Sequence, residues 1–164
     1  MKRWRLVGVM TGALCGMLMS QANAFDLTGT WQGKQECKLL TRDGQRETEV
    51  FDPNVITITQ VGDEVRILMT LDPTTSLLYR GLPFTNPTDP NRGEVAFRLC
   101  GLSSNTATKG EMGRVKVRVK PGLPGGRFEG ISIFSNAEEV DTCEWAYQRV
   151  SVEDPQVPAC PPGI

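Results

Sequence analysis

Histidine is absent from all 164 residues, and that absence removes much of the chemistry a chain of this length could carry. Ser-His-Asp and Cys-His nucleophilic machinery needs an imidazole to take up and return the proton. The common zinc sites use it as a ligand. Five cysteines are present, Cys15, Cys37, Cys100, Cys143 and Cys160, and none forms the Cys-x-x-Cys pair of redox or zinc motifs. Carboxylates could still do acid–base work. They cluster at Glu138, Glu139, Asp141 and Glu144, a run with too few oxygen ligands at defined spacing for calcium. A solvated hairpin tip is the expectation there. Gly122-Leu123-Pro124-Gly125-Gly126 lacks the Lys-Ser/Thr of a phosphate-binding loop and reads as a turn. No enzyme, metal site or cofactor is expected.

The ends of the chain explain what the cysteines are for. Lys2, Arg3 and Arg5 form a positive start, Leu6 to Met19 an apolar run, and Ala22 and Ala24 the small residues of a cleavage site. This order is that of a cleavable signal peptide over residues 1–24. The apolar run is well short of the roughly 20 residues that span a bilayer. The expectation is export to the periplasm or outside the cell, with a mature chain starting near Phe25 and no membrane span after cleavage. Cleavage removes three basic residues and no acidic one. Fifteen basic against nineteen acidic residues then remain, a charge of −4. That balance argues against a nucleic-acid binder, whose footprint would be basic. It also removes Cys15, leaving four cysteines, and an even number in an exported chain points to two disulfides with three possible connectivities.

The elements that must position these residues are strands. Seventeen glycines and eleven prolines punctuate short runs rich in β-branched and aromatic residues. Eight strands are expected: residues 28–40, 54–60, 64–71, 77–82, 93–100, 114–120, 127–134 and 140–152. A polar loop is expected at Thr85–Asn91. In the sixth strand Val115, Val117 and Val119 alternate with Arg114, Lys116, Arg118 and Lys120, giving one buried and one wet face. With Lys109 and Arg127 nearby, the wet face could meet anionic lipid or another polyanion, although such a face is more often only the solvated side of a sheet. Residues 25–152 form one all-β domain, and 153–164 a proline-rich tail.

Eight sequential strands can make a β-sandwich or close into an up-and-down antiparallel barrel. Closure requires the first and last strands to pair. Opposing Cys37 to Cys143 sets Gln35 against Trp145, Gly33 against Tyr147 and Trp31 against Arg149, all on one face. Opposite Cβ atoms lie roughly 4.5–5.5 Å apart, near enough for a disulfide. In this register the Arg149 guanidinium lies over the Trp31 indole. Cys100 and Cys160 pair by elimination, a bridge that tethers the tail to the barrel.

Gly29-Thr30-Trp31 on the first strand, with Arg149 near the end of the last, resembles the Gly-x-Trp and arginine pair of the calycin superfamily, which includes lipocalins and avidins. The resemblance implies that Gly29, Trp31 and Arg149 seal the closed end of a barrel. An eight-stranded barrel is either filled by its own side chains or holds one small ligand. Met69, Leu77, Tyr79, Leu99, Phe134 and Trp145 are the candidate ligand-contacting interior of the open half. The leading expectation is a non-enzymatic barrel that binds a small apolar ligand or a cell-envelope component. The alternative is a protein-interaction module, such as an inhibitor of an exported hydrolase, working through its loops.

Overall fold

The computed structural model describes residues 25–102, 110–120, 122–135 and 139–161. Residues 1–24, where the signal peptide is expected, and Lys109 and Glu138 lie outside the described residues. The strands are β1 (Gly29–Thr41), β2 (Arg46–Val61), β3 (Glu64–Thr70), β4 (Ser76–Asn86), β5 (Asp89–Leu102), β6 (Gly110–Lys120), β7 (Leu123–Ser135) and β8 (Glu139–Ser151). Each pairs antiparallel with the next, and β1 pairs with β8, closing the barrel. The sandwich alternative is thereby set aside.

The closing register is the one that the cysteines dictate. Cys37 stands opposite Cys143, Gln35 opposite Trp145, Gly33 opposite Tyr147 and Trp31 opposite Arg149. Disulfides join Cys37 to Cys143 and Cys100 to Cys160. A one-residue slip of β8 would turn its whole buried set outward, so parity and the cross-strand bridge specify one pairing together.

Several strands run further than their local composition suggests. β2 begins at Arg46 rather than Asn54, and Asp52-Pro53 falls where its pairing with β1 shifts register between Gly33 and Gln35. A proline is tolerated there because a bulge does not require its missing N–H. The polar segment Thr85–Asn91 is not a loop. Thr85 and Asn86 belong to β4 and residues 89–91 to β5, leaving a turn of Pro87 and Thr88. Side chains close it: Asn86 Oδ1 accepts from the Thr88 N–H at 2.9 Å, and Asp89 Oδ1 accepts from the Asn91 N–H at 3.0 Å. Such Asx contacts let polar residues continue a hairpin that composition alone assigns to a loop. For the same reason of pairing, β7 starts at Leu123, inside the glycine-rich stretch.

The tail is a strap. Leaving β8 at the closed end, it places Asp154 Oδ1 at 2.6 Å from the Thr59 hydroxyl, which donates to it. The Val157 N–H donates to Thr59 Oγ1 at 2.9 Å, and Val157 itself is buried. Thr59 sits on the outer face of β2 and is buried under this segment before Cys160 reaches Cys100 on β5. Thr59→Val removes both contacts and leaves a buried N–H unpaired, an expected loss of about 1–2 kcal/mol. Urea unfolding should show the loss, and limited proteolysis should cut the tail faster. Unchanged cleavage would mean that the strap is held by its disulfide alone.

Candidate ligand site

The closed end is built from residues 25–28, which lead into β1, and from β8. Phe25, Leu27 and Trp31 are all buried. Trp31 Nε1 donates to the Leu27 carbonyl at 2.9 Å, which folds the segment across the barrel floor. Arg149 lies with its guanidinium carbon 5.6 Å from the Trp31 ring centre. It donates to the carbonyls of Asp26 at 2.9 Å and Leu123 at 2.9 Å, and to that of Lys120. Burial pulls its pKa down, and the Asp26 carboxylate opposes this. One side chain therefore ties the segment before β1, the β6–β7 turn and β8 together. Gly126 makes room for the plug: a Cβ there would stand 3.1 Å from the Trp31 ring. Gly29, the other residue of the sequence signature, has φ +140°, and a Cβ would collide with the Ser151 carbonyl at 2.0 Å.

Above this floor the interior is aromatic. Tyr79 packs edge-on against Phe97 at 5.5 Å and Trp145 at 5.6 Å, and Phe97 lies 5.0 Å from Trp145. Trp145 continues to Tyr147 at 5.9 Å and Phe128 at 6.1 Å, and Phe128 to Trp31 at 5.8 Å. Ring pairs at such separations stabilise beyond their buried area. Gly113 permits the stack, since a Cβ there would meet the Phe97 ring at 2.6 Å. Met69, Tyr79, Phe134 and Trp145 are buried, while Leu77 and Leu99 are partly buried against the core. Phe51 and Leu71 are likewise partly buried and pack against the same core.

Polar groups sit inside this apolar wall; the sequence placed Gln35, Tyr79 and Tyr147 there, and sequence reasoning missed Glu111, Ser132 and Asn54. Glu111 is only 7% exposed. Its Oε2 accepts from the Tyr79 hydroxyl at 2.7 Å and its Oε1 from the Ser132 hydroxyl at 2.6 Å. Trp145 Nε1 in turn donates to Ser132 Oγ at 2.9 Å. Burial pushes the Glu111 carboxyl up, and the two hydroxyls only partly counter it. Burial also pushes Tyr79 well above the usual phenol value, helped by the charge on Glu111. Tyr147 is raised by burial and then by Glu111. Further round the wall, Gln35 Oε1, Asn54 Nδ2 and the Tyr147 hydroxyl are buried with no hydrogen-bond partner among the described residues. The register sets Asn54 and Tyr147 on either side of Gly33, with Gln35 two positions along β1. Buried polar atoms are normally paired, so this stretch of the wall offers donors and an acceptor to whatever enters it.

The signal for Glu111 was present. The alternation of Val115, Val117 and Val119, carried back two steps past Gly113, places residue 111 on the inner face. A strand begun at Arg114 stops short of it. The acidic run assigned to a hairpin tip divides between faces: Glu144 is exposed on the outer side of β8, paired with Lys38 at 3.4 Å, and takes no part in the interior.

The pH behaviour of Glu111 is testable. A carboxyl raised by folding contributes its full stability below the ordinary carboxylate range, where both states are protonated. That contribution is lost as pH rises through the folded value, because the unfolded chain ionises first. Glu111→Gln keeps acceptor and donor atoms but cannot ionise. The variant should gain on the parent as pH rises, by about 1.4 kcal/mol for each unit separating the folded from the unfolded value. Urea midpoints at stepped pH give the difference, and parallel curves would refute an uncompensated buried carboxyl.

Among the described residues no group of three or more histidine, cysteine, aspartate or glutamate side chains could hold a metal ion, and no helix is long and apolar enough to cross a membrane. Comparison of the chain with protein-family models and with curated proteins finds no match.

Proposed function

We propose that this chain is an exported, non-enzymatic calycin-like barrel whose open half takes a small, mainly apolar ligand bearing one hydrogen-bonding group. The observation that carries the reading is the placement of Glu111, Tyr79, Ser132 and Tyr147 within an aromatic, apolar interior. A core built for stability alone has no use for a buried carboxyl, which is expensive to desolvate. Ligand sites are commonly apolar with a few convergent polar groups that fix orientation. The Gly-x-Trp and arginine closure supports kinship with calycins, and the signal-like first 24 residues support export.

Native mass spectrometry of protein purified from its own envelope fraction tests this. A co-purifying mass of lipid or small-metabolite size is expected, and its removal should alter Trp145 fluorescence, since the indole bonds the Ser132–Glu111 pair. A bare protein mass together with capture of one specific protein would favour the interaction-module reading. One observation favours that second reading: Met112, Ile131 and Ile133 form an exposed apolar group on the outer face of β6 and β7, with Met112 directly opposite Ile133.

A further inference from the structure

The outer face of β5, β6 and β7 towards the closed end carries an arrangement that fold stability does not explain. Register places Arg92 opposite Arg118, and Arg118 opposite Arg127, so three arginines stand side by side on three neighbouring strands. All three are exposed. Like charges directly opposite across a ladder are destabilising. Two of the three have a carboxylate close by, Arg92 with Asp89 at 3.0 Å and Arg127 with Glu129 at 3.7 Å. Exposed pairs of this kind contribute little. Arg118, at the centre, has no such contact among the described residues.

Together with Lys116 and Phe84 these arginines line a groove of 530 Å³. Its charged lining holds four cations against Glu94 and Glu129, and Glu94 is itself engaged by Arg114. The groove is thus positive on a chain that is acidic beyond its first 24 residues. Phe84, 53% exposed, lines it; Leu82, 53% exposed, lies two residues away on the same face of β4, and Leu123, 59% exposed, starts β7, the strand that carries Arg127. A soluble anion would engage the cations and leave these three in water. A lipid interface takes both kinds of group, phosphates to the arginines and apolar side chains to the acyl boundary.

We propose that this face docks the barrel on an anionic phospholipid surface. The proposal is independent of what the interior holds.

Co-sedimentation of the full-length mature protein with vesicles tests it. Binding is expected to vesicles of phosphatidylglycerol with phosphatidylcholine, absent from phosphatidylcholine alone, and weakened by salt. A basic side chain near an anionic surface contributes about fivefold in affinity, so Lys116→Glu with Arg118→Glu should weaken binding by at least about 25-fold. Arg42→Glu with Arg46→Glu changes net charge equally at the other end of the barrel, where both residues are exposed, and should leave most of the binding intact. Phe84→Ser should weaken vesicle binding as well. All these positions are solvent-facing, and unchanged tryptophan emission would verify the fold. Three results would overturn the proposal: no binding to the anionic vesicles, equal loss in the two charge-reversal pairs, or retention on a soluble polyanion or acidic protein without vesicle binding.

Discussion

Arg149→Ala is expected to destabilise the barrel by about 3–5 kcal/mol, among the largest effects of any single substitution in this chain. The side chain is buried and donates to three carbonyls from two other segments, while its flat face covers Trp31. Alanine leaves those carbonyls without their donor and opens a void beside the indole. Arg149→Lys should recover only part of the loss, because an ammonium cannot reproduce the planar fork that reaches Asp26, Lys120 and Leu123 together. Trp31→Ala should fall in the same range, through the cavity it leaves. The two are in contact, so the double variant should lose less than the sum of the singles. Urea titration of the four proteins supplies the cycle. Full additivity would mean that the closed end is not one unit.

The second large effect belongs to the bridge between β1 and β8. Cys37 and Cys143 are 106 residues apart in sequence, and closing a loop of that length stabilises by about 4.7 kcal/mol through restriction of the unfolded chain. Cys37→Ser with Cys143→Ser should lower the unfolding midpoint accordingly. It should also place two hydroxyls where the sulfurs are now buried. The Cys100–Cys160 bridge spans 60 residues and has a comparable entropic effect on the whole chain, about 4 kcal/mol. Its loss has a different local signature. The strap, held otherwise by Thr59, should become the first site of proteolysis, whereas the β1–β8 variant should unfold as a whole. Equal protease patterns from the two variants would contradict that division. Thiol-specific labelling of the unfolded parent under non-reducing conditions checks that both bridges are formed.

These expectations separate what the linear chain contains from what it does not. Strand identity and barrel closure were legible because the side-chain period of a strand is two. Val115, Val117 and Val119 mark an inner face, and one cross-strand cysteine pair then fixes the pairing of β1 with β8 from Trp31 to Thr41, short of an irregularity at Thr30. The Trp31–Arg149 contact follows from the same register. Strand ends were less legible, since Asp52-Pro53 and Asn86-Pro87 are turn signals by composition yet lie within or beside paired strands. Hydrogen-bond pairing with a neighbour distant in sequence outweighs such local preferences.

The chemistry of the interior belongs to the tertiary structure. Tyr79, Glu111, Ser132 and Trp145 come from four strands and share no spacing; they meet only because a closed barrel points the inner face of each strand at a common axis. The short segment before β1 shows no periodicity either, so nothing in the sequence marked Phe25 and Leu27 as the floor of the barrel. The basic outer face of β6, with Arg118 and Arg127, was legible, but its extension to Arg92 as one row was not, because the three arginines become neighbours only when two hairpin registers are known. The absence of histidine and the cysteine register were determined by the chain itself, because identity and parity are local properties. Where a carboxyl is buried, and which cations stand side by side, depends on strand order and closure, and was decided only in three dimensions.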